Sequence, residues 1–142
     1  MRSQINYEHV HQIAAQAFKA LDVGHIESIY QKAIVLDLML CGHKCECEKT
    51  MPIVYKEQQI GFVRADMFIN DRIVVELKAV ATVQPAHLQQ VRRYGKLLQT
   101  SEMMLINFPL SGILEVHAFS AETGKFVKMQ ALECRAATDA RS

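Results

Sequence analysis

Residues 64–78 read Arg64-Ala65-Asp66-Met67-Phe68-Ile69-Asn70-Asp71-Arg72-Ile73-Val74-Val75-Glu76-Leu77-Lys78. Apolar residues 67–69 run into Asn70-Asp71, a turn signal, and the β-branched run Ile73-Val74-Val75 follows. This predicts two strands joined by a tight turn, the second buried on both faces. Asp66, Glu76 and Lys78 stand on these strands, where a charged group is costly unless it is paired or bound to a metal. Glu76 and Lys78 are two apart and project from one face of their strand. With Asp66 across the hairpin from them, two carboxylates and an ammonium converge. That set suits metal-assisted phosphodiester hydrolysis: hard oxygen ligands hold Mg²⁺, and the lysine positions or activates water and offsets developing charge. A Glu-Lys ion pair worth at most about 1 kcal/mol accounts for the same residues, and both readings stay open at this point.

Upstream, Ile53 and Tyr55 precede a polar turn over residues 56–59, and Ile60 and Phe62 follow it, so a β-hairpin leads into Asp66. Before it lie two helical patterns. Asn6 is a good N-cap, Glu8 suits a first turn, and Val10, Ile13, Ala14, Ala17, Phe18 and Leu21 form one apolar stripe. Gly24 interrupts the stripe. A second begins with Ile26, Tyr30, Ala33, Ile34 and Leu38, and Gly42 supplies a C-cap. Downstream, Pro85 opens a helix carrying Leu88, Val91, Tyr94 and Leu98, and residues 103–108 and the alternating Leu114, Val116 and Ala118 predict two more strands. The pattern fades after about Phe119, and the tail from Arg135 is expected to be loose. The predicted architecture is α/β, a mixed central β-sheet flanked by α-helices.

The chain of 142 residues, half of them apolar, fits one domain spanning 1–142. Sixteen Lys and Arg against fifteen Asp and Glu leave a net charge of +1, so affinity for nucleic acid requires a local basic patch. The apolar runs are far shorter than the roughly 20 residues of a membrane helix, and the N-terminus lacks a signal-peptide pattern; a soluble, intracellular protein is expected, with no membrane partner. Of four cysteines, Cys41, Cys45 and Cys47 are bunched, unlike a secreted disulfide framework. With His43 they invite a zinc reading, which their spacing opposes: the four do not obviously converge on a tetrahedron in an extended segment.

Asp66, a short turn, an apolar strand and Glu76-Leu77-Lys78 resemble the PD-(D/E)XK nuclease signature, with Ala65-Asp66 in place of Pro-Asp. Gly24-His25-Ile26-Glu27-Ser28-Ile29-Tyr30 fits the pattern of the GxxExxY family of small PD-(D/E)XK-like proteins. The Arg-Ala-Asp, Val-Glu-Leu-Lys-Ala and Ile-Asn-Phe segments follow in the same order, and the resemblance covers about residues 7–119. It implies a PD-(D/E)XK (restriction-endonuclease-like) core and a nuclease dependent on Mg²⁺ or Mn²⁺ that hydrolyses DNA or RNA. Asp66 and Glu76 would then be metal ligands, with Glu27 completing the acidic cluster directly or through water. Asp22-Val23 stands where the family more often has Gly-Pro. Tyr30 shares the face of Glu27 and is placed either in the site or in the core.

Gln90 and Tyr94 form a Gln-x-x-x-Tyr pattern similar to one that follows the Glu-x-Lys strand in RecB-like nucleases. It implies that Gln90 orients the lysine, the water or a phosphate and that Tyr94 supports it. Arg92, Arg93 and Lys96 make the one dense basic cluster and are expected to contact phosphates. His87 either extends the site or is a surface histidine near the helix start. The alternative to a nuclease is a non-catalytic module that keeps the fold for binding or assembly. A homodimer is expected if duplexes are cut, since each strand needs a site.

Overall fold

The computed structural model describes residues 4–132, and the tail expected from Arg135 lies outside them. Nine elements follow in order: α1 (Tyr7–Leu21), α2 (Glu27–Leu40), β1 (Cys45–Tyr55), β2 (Gln58–Ile69), β3 (Ile73–Lys78), α3 (Pro85–Leu97), β4 (Glu102–Asn107), β5 (Glu115–Ser120) and β6 (Lys125–Lys128). The strands form one six-stranded sheet in sequence order. Only β3 and β4 run parallel, joined by the α3 crossover, and the other neighbours are antiparallel.

Alternation along β3 shows why this sheet needs helices on both sides. Ile73, Val75 and Leu77 pack into a core with Val10, Phe18, Tyr30 and Ile34 from α1 and α2. Val74 faces the other way, into a cluster with Val91 and Tyr94 of α3. Every residue from Ile73 to Leu77 is buried, as the β-branched run predicts for a doubly covered strand.

The predicted boundaries hold where local chemistry sets them. Asn6 caps α1 by accepting the His9 N–H at 2.8 Å. Gly42 follows α2 with φ +83°, a left-handed stop where a side chain is strained. Asn70 and Asp71 both take left-handed dihedrals in the β2–β3 turn. Two features depart from the sequence reading. The first hairpin turns on Lys56-Glu57 alone, both with positive φ, so β1 and β2 are longer than the polar run over 56–59 suggested. The sheet also continues past Phe119: β6 pairs with β5, and Phe126 meets the Phe119 ring edge-on at 5.3 Å. Among the described residues, no helix is long and apolar enough to cross a membrane.

Candidate active site at the fork of the sheet

The site begins where two strands part. Ladder pairing between β2 and β3 covers only Met67–Val75, Phe68–Val74 and Ile69–Ile73, after which β2 continues with β1 alone. The next residues in register are Asp66 and Glu76. Their carboxylates take over from the ladder: Glu76 Oε1 accepts the Asp66 N–H at 3.1 Å, and Asp66 Oδ2 accepts the Leu77 N–H at 2.8 Å. This exchange pairs backbone groups that the parting strands would otherwise strand. It also leaves each carboxylate with a second oxygen.

Glu76 is 6% exposed. Burial, and after it the Asp66 charge, push its carboxyl up to about 8. Asp66 is likewise raised, first by burial and then by the charges of Glu48 and Glu27, against the Leu77 amide and Lys78, which pull it down. The two carboxyls share one environment and titrate as a pair. Positive charge is in short supply at the fork, and Lys78 is the cation on the same strand that opposes the shift in both.

Helix α2 supplies the other wall. Glu27 stands in its first turn, as the sequence reading placed it, and its Oε2 accepts the Ala79 N–H at 3.2 Å just past Lys78. One turn on, Gln31 donates from Nε2 to the Asp66 carbonyl at 2.8 Å and to Glu48 Oε2 at 3.2 Å. Glu48 lies on β1 in register with Asp66 and holds φ +55°, a left-handed conformation that costs a non-glycine residue roughly 1–2 kcal/mol. Neither Gln31 nor Glu48 was a sequence candidate. Gln31 had a signal, lying four residues from Glu27. Glu48 had none, because the register shifts between Ile53 and Val54 and a straight count back from the hairpin turn brings it opposite Ala65 instead of Asp66.

Tyr30 belongs to the core. Its ring stacks on Phe108 at 4.2 Å, and its hydroxyl donates to the Asp22 carbonyl at 2.6 Å while accepting the His25 N–H at 3.3 Å. It therefore fixes the α1–α2 connection from which Glu27 emerges. Gly24, with φ +97° and open space around it, serves the backbone of that connection.

Helix α3 covers the far side. Gln90 and Tyr94 share a face of α3; burial first, then the Glu76 charge, raise the Tyr94 pKa, and Gln90 opposes the rise. Lys78, His87, Gln89, Gln90 and Arg93 line one open cleft. The basic cluster divides: Arg93 lines this cleft, whereas Arg92 lies 5.1 Å over the Phe119 ring and donates to the Gly124 carbonyl at 3.0 Å. Lys96 is exposed in the last turn. His87 accepts the Gln84 N–H at 2.9 Å, capping its own helix. Behind Lys78, the fully buried Asn107 clamps Val80 by accepting its N–H and donating to its carbonyl, both at 2.9 Å. It too was missed, although it is the one polar residue in an otherwise apolar strand core.

In the cysteine cluster, Cys41 and Cys47 are exposed and Cys45 is half-buried. Burial and the neighbouring Cys47 push the Cys45 thiol up to about 12, the behaviour of an inert thiol. His43 is buried, and its Nδ1 lies 3.0 Å from Asn70 Nδ2. Among the described residues, no three His, Cys, Asp or Glu side chains form a group ready to hold a metal ion, at the cysteines or at the fork.

A mixed sheet between helices, parting beside two carboxylates and a lysine, is the plan of a restriction-endonuclease-like domain. Residues 4–118 match the family described as the PD-(D/E)XK nuclease superfamily, and the chain belongs to it. No curated protein matches. Among solved structures, "Crystal structure of SSO0001" is similar at 16% identity, covering 97% of this chain and 83% of that one with a TM-score of 0.41.

Proposed function

We propose that this chain is a divalent-metal-dependent nuclease of the GxxExxY kind, hydrolysing phosphodiester bonds of DNA or RNA inside the cell. One observation carries the reading: Asp66 and Glu76 are held side by side in the fork, crowded enough to raise both carboxyls, with Lys78 two residues on. A structural ion pair would lower those pKa values instead. The donor set fits Mg²⁺ or Mn²⁺, because one hard oxygen of each carboxylate is not taken by a backbone amide and Glu27 stands on the opposite wall. A bound cation would polarise the phosphoryl oxygen and acidify water.

The chain's own groups supply the remainder. The Lys78 ammonium holds the attacking water and offsets charge growing on the phosphoryl oxygens. Gln90, oriented by Tyr94, offers an amide to that water or to a phosphate beside Lys78. Arg93 extends positive charge along the cleft, and Arg92 and Lys96 offer phosphate contacts outside it. A homodimer would present one fork to each strand of a duplex.

The second reading, a non-catalytic binding module, is favoured by the engagement of Asp66 and Glu76 with backbone amides, which lets both acids serve the fold alone. Titration of Mn²⁺ followed by electron paramagnetic resonance separates the two. The nuclease reading expects binding by the wild type that Asp66→Ala abolishes; a folded wild type that binds no Mn²⁺ would favour the module.

A further inference from the structure

The β1–β2 hairpin is longer than the sheet requires. From Asp66 back to Gln58, β2 pairs with β1 alone, which makes about 30 Å of two-stranded ribbon rooted in the candidate site. Its two faces differ. Met51 and Ala65 are buried and Val63 is half-buried in the cluster under α3, so alternation turns Phe62 and Arg64 outward. Thr50 and Pro52 lie opposite them in register, and both are exposed.

Phe62 is 56% exposed, and Val54, Tyr55 and Ile60 near the tip are at least as open. A ribbon of two strands is marginal by itself, and so much exposed apolar side chain on one points to a ligand. The ribbon is also basic: Lys49, Lys56 and Arg64 stand against Glu57 alone between residues 49 and 65. Two of these cations lie over aromatic rings, Arg64 over Phe62 at 5.9 Å and Lys56 over Tyr55 at 5.4 Å.

We propose that this ribbon is a single-strand binding arm, Phe62 stacking on a base and Arg64 holding the adjoining phosphate of a nucleic acid strand that enters the fork. The proposal rests on the nuclease reading. Aromatic faces interleaved with cations are the chemistry that binds unpaired strands without regard to sequence. Arg64 precedes Asp66 by two residues, about 7 Å along β2, so a strand crossing the fork meets it within about two nucleotides. A second copy of the chain adding as a further strand suits the ribbon poorly. β1 is the sheet edge, and Pro52, which lacks an N–H, together with the left-handed Glu48 interrupts the hydrogen-bonding row that strand addition needs.

Fluorescence anisotropy with labelled single-stranded DNA and RNA oligonucleotides, in chelator to prevent cutting, tests the arm. Phe62→Thr keeps β propensity at an exposed position and is expected to weaken single-strand binding about 5- to 150-fold. Arg64→Gln is expected to weaken it further at low salt and to flatten the dependence of log affinity on log salt by about 0.7. Duplex of the same length is expected to lose less. Wild-type binding that both variants retain in full would overturn the arm and leave the nuclease reading standing. Wild type that binds neither single-stranded oligonucleotide would overturn the arm, and wild type that fails to bind the duplex as well would remove the nuclease reading with it. Sedimentation in parallel covers the remaining outcome: Phe62→Thr converting a dimer to monomers at unchanged affinity would make the ribbon an interface between copies and overturn the proposal.

Discussion

Glu76 makes the fork measurable without any substrate. Its ordinary carboxyl pKa is 4.5, and in the folded protein it is pushed up to about 8. A carboxyl raised on folding keeps its proton in the native state after the unfolded chain has released it. The stability it contributes is therefore fully present below about pH 4.5 and is lost as pH rises through about 8. At about 1.36 kcal/mol for each tenfold change in proton affinity the ceiling is about 5 kcal/mol, and about 3–4 kcal/mol of it falls between about pH 5 and about pH 8. That is a large share of the roughly 5–15 kcal/mol that holds a domain folded. Glu76→Gln keeps an oxygen for the Asp66 N–H and removes the charge. The assay is urea unfolding in chelator across this pH range, for wild type and variant. His11, buried and with its pKa lowered by that burial, contributes with the opposite sign in part of the window, so the difference between the two proteins is the quantity to read. The variant should gain on the wild type steadily as pH rises. Parallel profiles, or a wild type that gains on the variant with pH, would refute the account of the fork as two crowded, buried acids.

Other perturbations probe the walls. Tyr30→Phe removes the hydroxyl that joins the Asp22 carbonyl to the His25 N–H and should cost about 1–3 kcal/mol in thermal unfolding, with the Phe108 stack retained. Asn107→Leu leaves both backbone groups of Val80 without their clamp; a loss of about 1–3 kcal/mol is expected, together with hydrogen exchange at Val80 that quickens more than in the strands of the sheet. Glu48→Gly relieves a left-handed residue and removes a charge that raises Asp66, so in chelator it should stabilise the protein by about 1 kcal/mol while lowering any Mn²⁺ affinity.

The sequence disclosed the fork and concealed part of its walls, for physical reasons. Residues 67–78 were legible because a doubly buried strand admits few polar residues, which makes Glu76 conspicuous. Asp66 followed from the turn at Asn70-Asp71, which leaves one register open. Glu48 was not legible: it sits among Glu46, Cys47 and Lys49 on an edge strand, and its position depends on the turn at Lys56-Glu57, whose left-handed residues are not the usual Asn-Gly. Strand β6 escaped because Lys125-Phe126-Val127-Lys128 is short and mostly exposed, with its pairing supplied by β5. Tyr30 had two possible places because the face it shares with Glu27 also borders the core, and the ring of Phe108 decided between them. The basic residues of α3 looked like one patch in sequence, yet helical spacing sends Arg92 to Phe119 and Arg93 to the cleft.

The central claim is that the fork hydrolyses phosphodiesters. Its most direct test is cleavage of single-stranded, double-stranded and branched DNA and RNA in Mg²⁺ or Mn²⁺ by wild type, Asp66→Ala and Lys78→Ala. The account predicts metal-dependent cutting of at least one substrate by the wild type that both substitutions abolish. A folded wild type that cuts nothing, or cutting that survives both substitutions, would contradict it.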